Sequence, residues 1–76
     1  MTPAQCRMAR AALNLGVREV AKLADVSTNT ITRLERGEHL KDSTVQAVRA
    51  VLEGAGVEFI PENGGGPGVR LSKPKL

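Results

Sequence analysis

Apolar residues recur at helical spacing through the first three quarters of the chain, after which the rhythm changes. Cys6, Ala9 and Leu13 stack on one face of a segment that opens with Thr2-Pro3-Ala4-Gln5. Thr as N-cap, Pro at the first helical position and Gln three residues after the cap form a helix-start pattern. A helix is therefore predicted from Pro3 to about Asn14. Beyond Gly16, the apolar positions Val17, Val20, Ala21 and Ala24 predict a second helix over 17–24. Asp25-Val26-Ser27 is a tight connection in which Ser27 can cap a third helix over 28–36, and Gly37 stops that helix in a left-handed conformation. Ser43-Thr44-Val45-Gln46 reads as a second capping box, opening a fourth helix that runs to about Glu53 with Val45, Val48 and Leu52 as its stripe. Gly54 and Gly56 are expected to end it. Val57-Glu58-Phe59-Ile60 then reads as a strand by branching and partial alternation, and Val69-Arg70-Leu71 as a short second one. Between them, residues 61–68 hold four glycines and two prolines and predict a flexible connection. The fold class expected is mainly α, four helices followed by a short C-terminal β hairpin. The organisation expected is a helical domain at 1–56, a β extension at 57–71 and a basic flexible tail at 72–76.

A chain of 76 residues has room for one hydrophobic core. One Phe with no Trp or Tyr excludes most aromatic platforms on which single-stranded nucleic acid stacks. One Cys can form neither an internal disulfide nor a zinc site. No apolar stretch approaches the roughly 20 residues of a membrane span, and Gln and Arg interrupt the N-terminal segment where a signal peptide needs an apolar core. A cytoplasmic protein without membrane contact is expected. Charge adds more. Residues 1–41 carry seven basic and four acidic side chains, residues 42–69 one basic and four acidic, and residues 70–76 three basic and no acidic ones. A basic first half joined to an acidic middle suggests that one face meets a polyanion.

Two short helices joined by so tight a turn cross steeply, as in a helix-turn-helix. At about 100° per residue, Thr28, Asn29, Thr32 and Arg33 fall within an arc of about 140° on the third helix, with Ile31 and Leu34 on the opposite side. Arg can be bidentate to guanine, Asn bidentate to adenine, and Thr can touch a thymine methyl or a phosphate. An ordinary solvated face would more often carry Glu and Lys than Thr-Asn-Thr, which are poor helix formers.

The stretch from Leu13 to Gly37, LNLGVREVAKLADVSTNTITRLERG, resembles the Cro/C1-type helix-turn-helix family, also called the xenobiotic-response-element family, which includes lambdoid phage repressors. The resemblance rests on Glu19-Val20-Ala21, Val26-Ser27, Ile31 and Leu34-Glu35-Arg36-Gly37, and with the flanking helices it covers about residues 3–55. It implies a lambda-repressor-like four-helix domain that places its third helix in the DNA major groove, usually as a dimer on a two-fold symmetric operator. By position it implies base reading by Thr28, Asn29 and Arg33, with Ser27 and Thr32 next, and phosphate contacts by Arg36 and Lys41. Arg10 and Glu35 match a pair that in many relatives bridges helices 1 and 3. An outward Arg10 on a phosphate is the competing reading. The sequence departs from the family at Gly16, where relatives carry Ser, Thr or Asn, and at Val17, where a Gln helps to hold a phosphate. Backbone N–H groups at that helix start, or Arg18, would have to substitute.

Strands 57–60 and 69–71 make a marginal hairpin alone. They are expected either to pair with a second copy, making Val57, Phe59, Ile60, Val69 and Leu71 dimerisation residues, or to fold onto the chain's own fourth helix. Cys6 reads as a small core residue. His39 stands alone in a linker and supports no metal site, and the glycines at 64–66 lack the strand-then-helix context and Lys of a nucleotide loop. No catalytic constellation, cofactor or small-molecule ligand is implied. The function expected is sequence-specific double-stranded DNA binding by a homodimeric transcriptional regulator of a bacterium or phage, repressor or activator. The rival reading is a protein-interaction module on the same scaffold, an antiactivator or a recruiter of RNA polymerase or another regulator, and a third is an antitoxin that binds both DNA and a toxin.

Overall fold

A computed structural model describes residues 1–72 of the chain. Four helices, α1 (Pro3–Leu13), α2 (Val17–Ala24), α3 (Thr28–Glu35) and α4 (Asp42–Ala55), precede two strands, β1 (Val57–Ile60) and β2 (Gly68–Leu71). This is the expected fold class. Of the tail expected at 72–76, residues 73–76 lie outside the described residues. None of the described helices is long and apolar enough to cross a membrane.

The helix ends follow local chemistry. At the start of α1 the Thr2 hydroxyl accepts from Gln5 N–H (3.1 Å) and the Gln5 side-chain oxygen accepts from Thr2 N–H (2.8 Å), so two otherwise orphaned donors are satisfied reciprocally. Asn14 and Asp25, both left-handed with φ near 57°, end α1 and α2. Ser27 caps α3 by accepting from Thr30 N–H (3.1 Å). Two boundaries, both of α4, differ from the sequence reading by more than a residue. Helix α4 begins at Asp42 with Lys41 at the cap and no side-chain cap bond, so the Ser43 capping box does not form. Gly54 lies inside α4, and Gly56 at φ 122° alone turns the chain out of it.

Cys6, Ala9, Val20, Ala21, Ile31, Leu34, Val48, Leu52 and Val57 form one buried core to which every helix and β1 contribute. The hairpin is antiparallel, pairing Val57 with Leu71, Glu58 with Arg70, Phe59 with Val69 and Ile60 with Gly68. Side chains alternate across a strand, so Val57, Phe59 and Val69 face the helices, and the latter two pack against the core. Strand β2 lies chiefly against α1, and β1 against α4 and α1. The Arg49 guanidinium sits 5.2 Å from the centre of the Phe59 ring. Of the five apolar residues expected at a dimer interface, Val57, Phe59 and Val69 are thus spent on the chain's own interior. Leu71, opposite Val57 at the outer end of the same face and 60% exposed, is not, and neither is Ile60, which lies on the other face.

Gln5 ties this arrangement together. It is buried, and its amide nitrogen donates to the carbonyls of Ile60 (3.0 Å) and Gly68 (2.9 Å), the last pair of the β ladder. Its oxygen is already used by Thr2, so both amide hydrogens and the oxygen have partners. An amide without such partners would cost several kcal/mol to bury. One side chain therefore caps α1 and fastens the hairpin to it.

Candidate nucleic-acid interface

Helix α3 has a sharply divided surface. Ile31 and Leu34 are buried in the core, while Thr28, Asn29 and Thr32 are exposed and Arg33 keeps 41% of its side chain accessible. Not every polar group there is free. The Ser27 hydroxyl is occupied by the cap and by Thr30 Oγ1 at 2.9 Å, and Thr32 Oγ1 donates to the Thr28 carbonyl at 3.1 Å. Ser27 is thus held as a cap, whereas Asn29 has no side-chain partner among the described residues and Thr32 keeps its methyl and lone pairs.

The C-terminal end of α3 closes in a six-residue ring. Glu38 N–H donates to the Arg33 carbonyl and Gly37 N–H to the Leu34 carbonyl, both at 3.1 Å. Gly37, at φ 87°, makes the left-handed step this ending requires. The turn brings the Glu38 carboxylate beside two arginines: Arg33 Nε reaches Oε1 at 3.0 Å, and Arg36 Nη2 reaches Oε2 at 2.6 Å. The two cations hold the Glu38 carboxyl below the usual range, the Arg33 hydrogen bond acting most strongly.

A second carboxylate fixes α3 to the scaffold. Arg10 turns inward and grips Glu35 with Nε to Oε2 at 2.6 Å and Nη2 to Oε1 at 2.8 Å. Arg10 Nη1 also donates to the Leu15 carbonyl at 3.3 Å, and Arg7 donates to the Glu35 carbonyl. Cys6 Sγ donates to Glu35 Oε2 at 3.2 Å. Burial works to raise the Glu35 carboxyl, but hydrogen bonds from Arg10 and Cys6 hold it below the usual range. The Cys6 thiol is pushed up to about 12 by burial and by its bond to this anion.

At the start of α2, the Glu19 carboxylate accepts the Gly16 N–H. A Cβ at Gly16 would stand 2.6 Å from Glu19 Oε2, so any side chain there would displace the carboxylate. The helix start at which backbone donors were expected to meet a phosphate thus carries an anion of its own. Arg18, exposed beside it, makes no ion pair among the described residues.

Between α3 and the loop after it lies a cleft of about 410 Å³, lined by Ser27, Thr30, Arg33, His39, Lys41 and Thr44 over apolar Val26 and Leu40. It brings Ser27, Arg33 and Lys41 together and leaves Arg18 apart. Glu38, Glu19 and the second role of Gln5 escaped the sequence reading. The contact of Glu38 with Arg33 had a signal, since a Gly two residues after a helix places the next residue over the last turn.

A family model described as a helix-turn-helix domain matches residues 4–58. A comparison with curated proteins finds no match. The match spans all four helices and enters β1, with the divided α3 at its centre. It points to DNA as the partner and to regulation of transcription. The chain belongs to the helix-turn-helix domain family, within the Cro/C1-type clan.

Proposed function

We propose that the protein is a sequence-specific reader of double-stranded DNA that regulates transcription, inserting α3 into the major groove. The observation that carries this reading is the split of α3 between buried Ile31 and Leu34 and an outward face of exposed Thr28, Asn29 and Thr32 with half-buried Arg33. Short donor-rich side chains on a rigidly anchored helix are what base-edge recognition needs. Lys41 and Arg18 supply phosphate contacts at the rim, while Arg36, expected there by position, is engaged by Glu38. Ser27 contributes as the cap that sets the first turn of α3. Two copies bind together, meeting through the open edges of the hairpin and exposed Leu71, because Val57, Phe59 and Val69 already serve the core.

The test is selection of bound fragments from sheared genomic DNA at near-physiological salt, with Arg33→Ala in parallel. A shared motif with half-sites about one helical turn apart is expected. Arg33→Ala should lose about 1–3 kcal/mol on that motif and relax preference at one base pair. Recovery of fragments without a motif, identical in the variant, would sink the reading. One observation favours a protein-interaction module instead: the Glu19 carboxylate stands at the α2 start, where an anion opposes a phosphate. Co-purification with one stoichiometric protein and no salt-sensitive duplex binding would establish it.

A further inference from the structure

The base-reading surface just proposed contains an acid that a phosphate-seeking surface has no use for. Glu38 is exposed and stands between Arg33 and Arg36, taking one oxygen to each. Its position is set by the backbone, because its own N–H is bonded to the carbonyl of Arg33. The side chain therefore leaves the chain from a point locked to the residue that it contacts. It takes Arg33 by Nε, at the inner edge of the guanidinium. Both terminal nitrogens are left without a partner among the described residues. End-on presentation of these two nitrogens is one of the ways in which a guanidinium reaches the O6 and N7 acceptors of a guanine.

We infer that Glu38 is a positioning residue that determines specificity: it orients Arg33 so that its terminal nitrogens face a guanine in the major groove, and it occupies Arg36 so that this cation adds less to binding of arbitrary sequence. The inference rests on the DNA-reading proposal above. An exposed ion pair adds little to stability, so removing Glu38 leaves the fold intact and changes what the two arginines do. Without it, Arg33 swings freely among rotamers and loses its aim, while Arg36 gains a phosphate.

The experiment compares wild type, Glu38→Ala, Arg33→Ala and the double variant on the selected duplex, on the same duplex changed at the base pair where Arg33→Ala relaxes preference, and on random duplex. Thermal unfolding of each variant is followed alongside. Glu38→Ala is expected to lower discrimination at that base pair at least fivefold, to bind random duplex several-fold more tightly, and to steepen the salt slope by about 0.9, one phosphate's worth. In the Arg33→Ala background, adding Glu38→Ala should cost no further discrimination, because the effect passes through Arg33. Should Glu38→Ala unfold early, Glu38→Gln carries the random-duplex and salt-slope arms. Unchanged discrimination in Glu38→Ala would overturn the positioning role, as would a loss that simply adds to that of Arg33→Ala. If wild type shows no preferred motif, the DNA-reading proposal fails first and takes this one with it.

Discussion

Cys6 donates to Glu35, and the opposite shifts of these two groups give the domain a two-sided pH profile. The Glu35 carboxyl is lowered in the folded chain, so its contribution is complete above its ordinary value of 4.5 and is lost as pH falls through the folded value. The Cys6 thiol is raised, so the folded chain holds a proton that the unfolded chain releases, and stability falls as pH climbs from 9.0 toward about 12. Chemical denaturation across pH should show both limbs. Relative to Cys6→Ala, wild type should lose ground only above pH 9.0. Removing Arg10 is a harsher test, because it leaves the Glu35 side chain, 10% exposed, charged and unpaired. Arg10→Ala should cost about 3 kcal/mol, the low end for a broken buried pair since Arg10 itself keeps some water contact. A cost below 1 kcal/mol would mean that the pair does not brace α3.

Among the elements, the joint between α1 and the hairpin is the most exposed to a single change. Gln5→Ala removes the cap on Thr2 and leaves the Ile60 and Gly68 carbonyls without their donor. The expected cost is about 1–3 kcal/mol. Amide exchange should accelerate across β1 and β2 before it does in α3, and equal acceleration everywhere would show that the hairpin opens only with the whole domain. This joint also marks where reading the sequence stops. Helix starts at Thr2 and Ser27 and the stop at Gly37 were legible because they depend on residues within one turn. The start of α4 was misplaced by two residues: Ser43 and Gln46 match a capping box, yet the cap is Lys41 and Asp42 already opens the helix. The second role of Gln5 depends on carbonyls 55 and 63 residues away, and no local pattern announces that. The division of α3 was legible from spacing alone, whereas Glu38 needed the geometry of the turn that ends the helix.

For the molecule as a whole, the number of chains on the duplex sets the salt response. If each chain neutralises about four phosphates, log affinity should fall with log salt at roughly −4 for one chain and roughly −7 for two, from −0.9 per contact. Measuring that slope beside the oligomeric state by light scattering decides the matter. A particle of one chain at micromolar concentration with a slope near −4 would exclude the dimer. Two chains and the steeper slope would establish the dimer, and Leu71→Glu should then dissociate it without unfolding either chain if the copies meet at the hairpin edge.

The anchoring of α3 has an engineering consequence. Ile31, Leu34 and Glu35 hold the helix from behind, and the outward residues Thr28 and Asn29 share no side-chain hydrogen bond with them among the described residues. The reading face is therefore expected to behave as an exchangeable cassette on a fixed mount. Libraries randomised at Thr28, Asn29 and Thr32, with Arg33 and Glu38 kept as a unit, should yield folded proteins at nearly the parental rate, and their differences should appear in the sequences they select rather than in their melting temperatures.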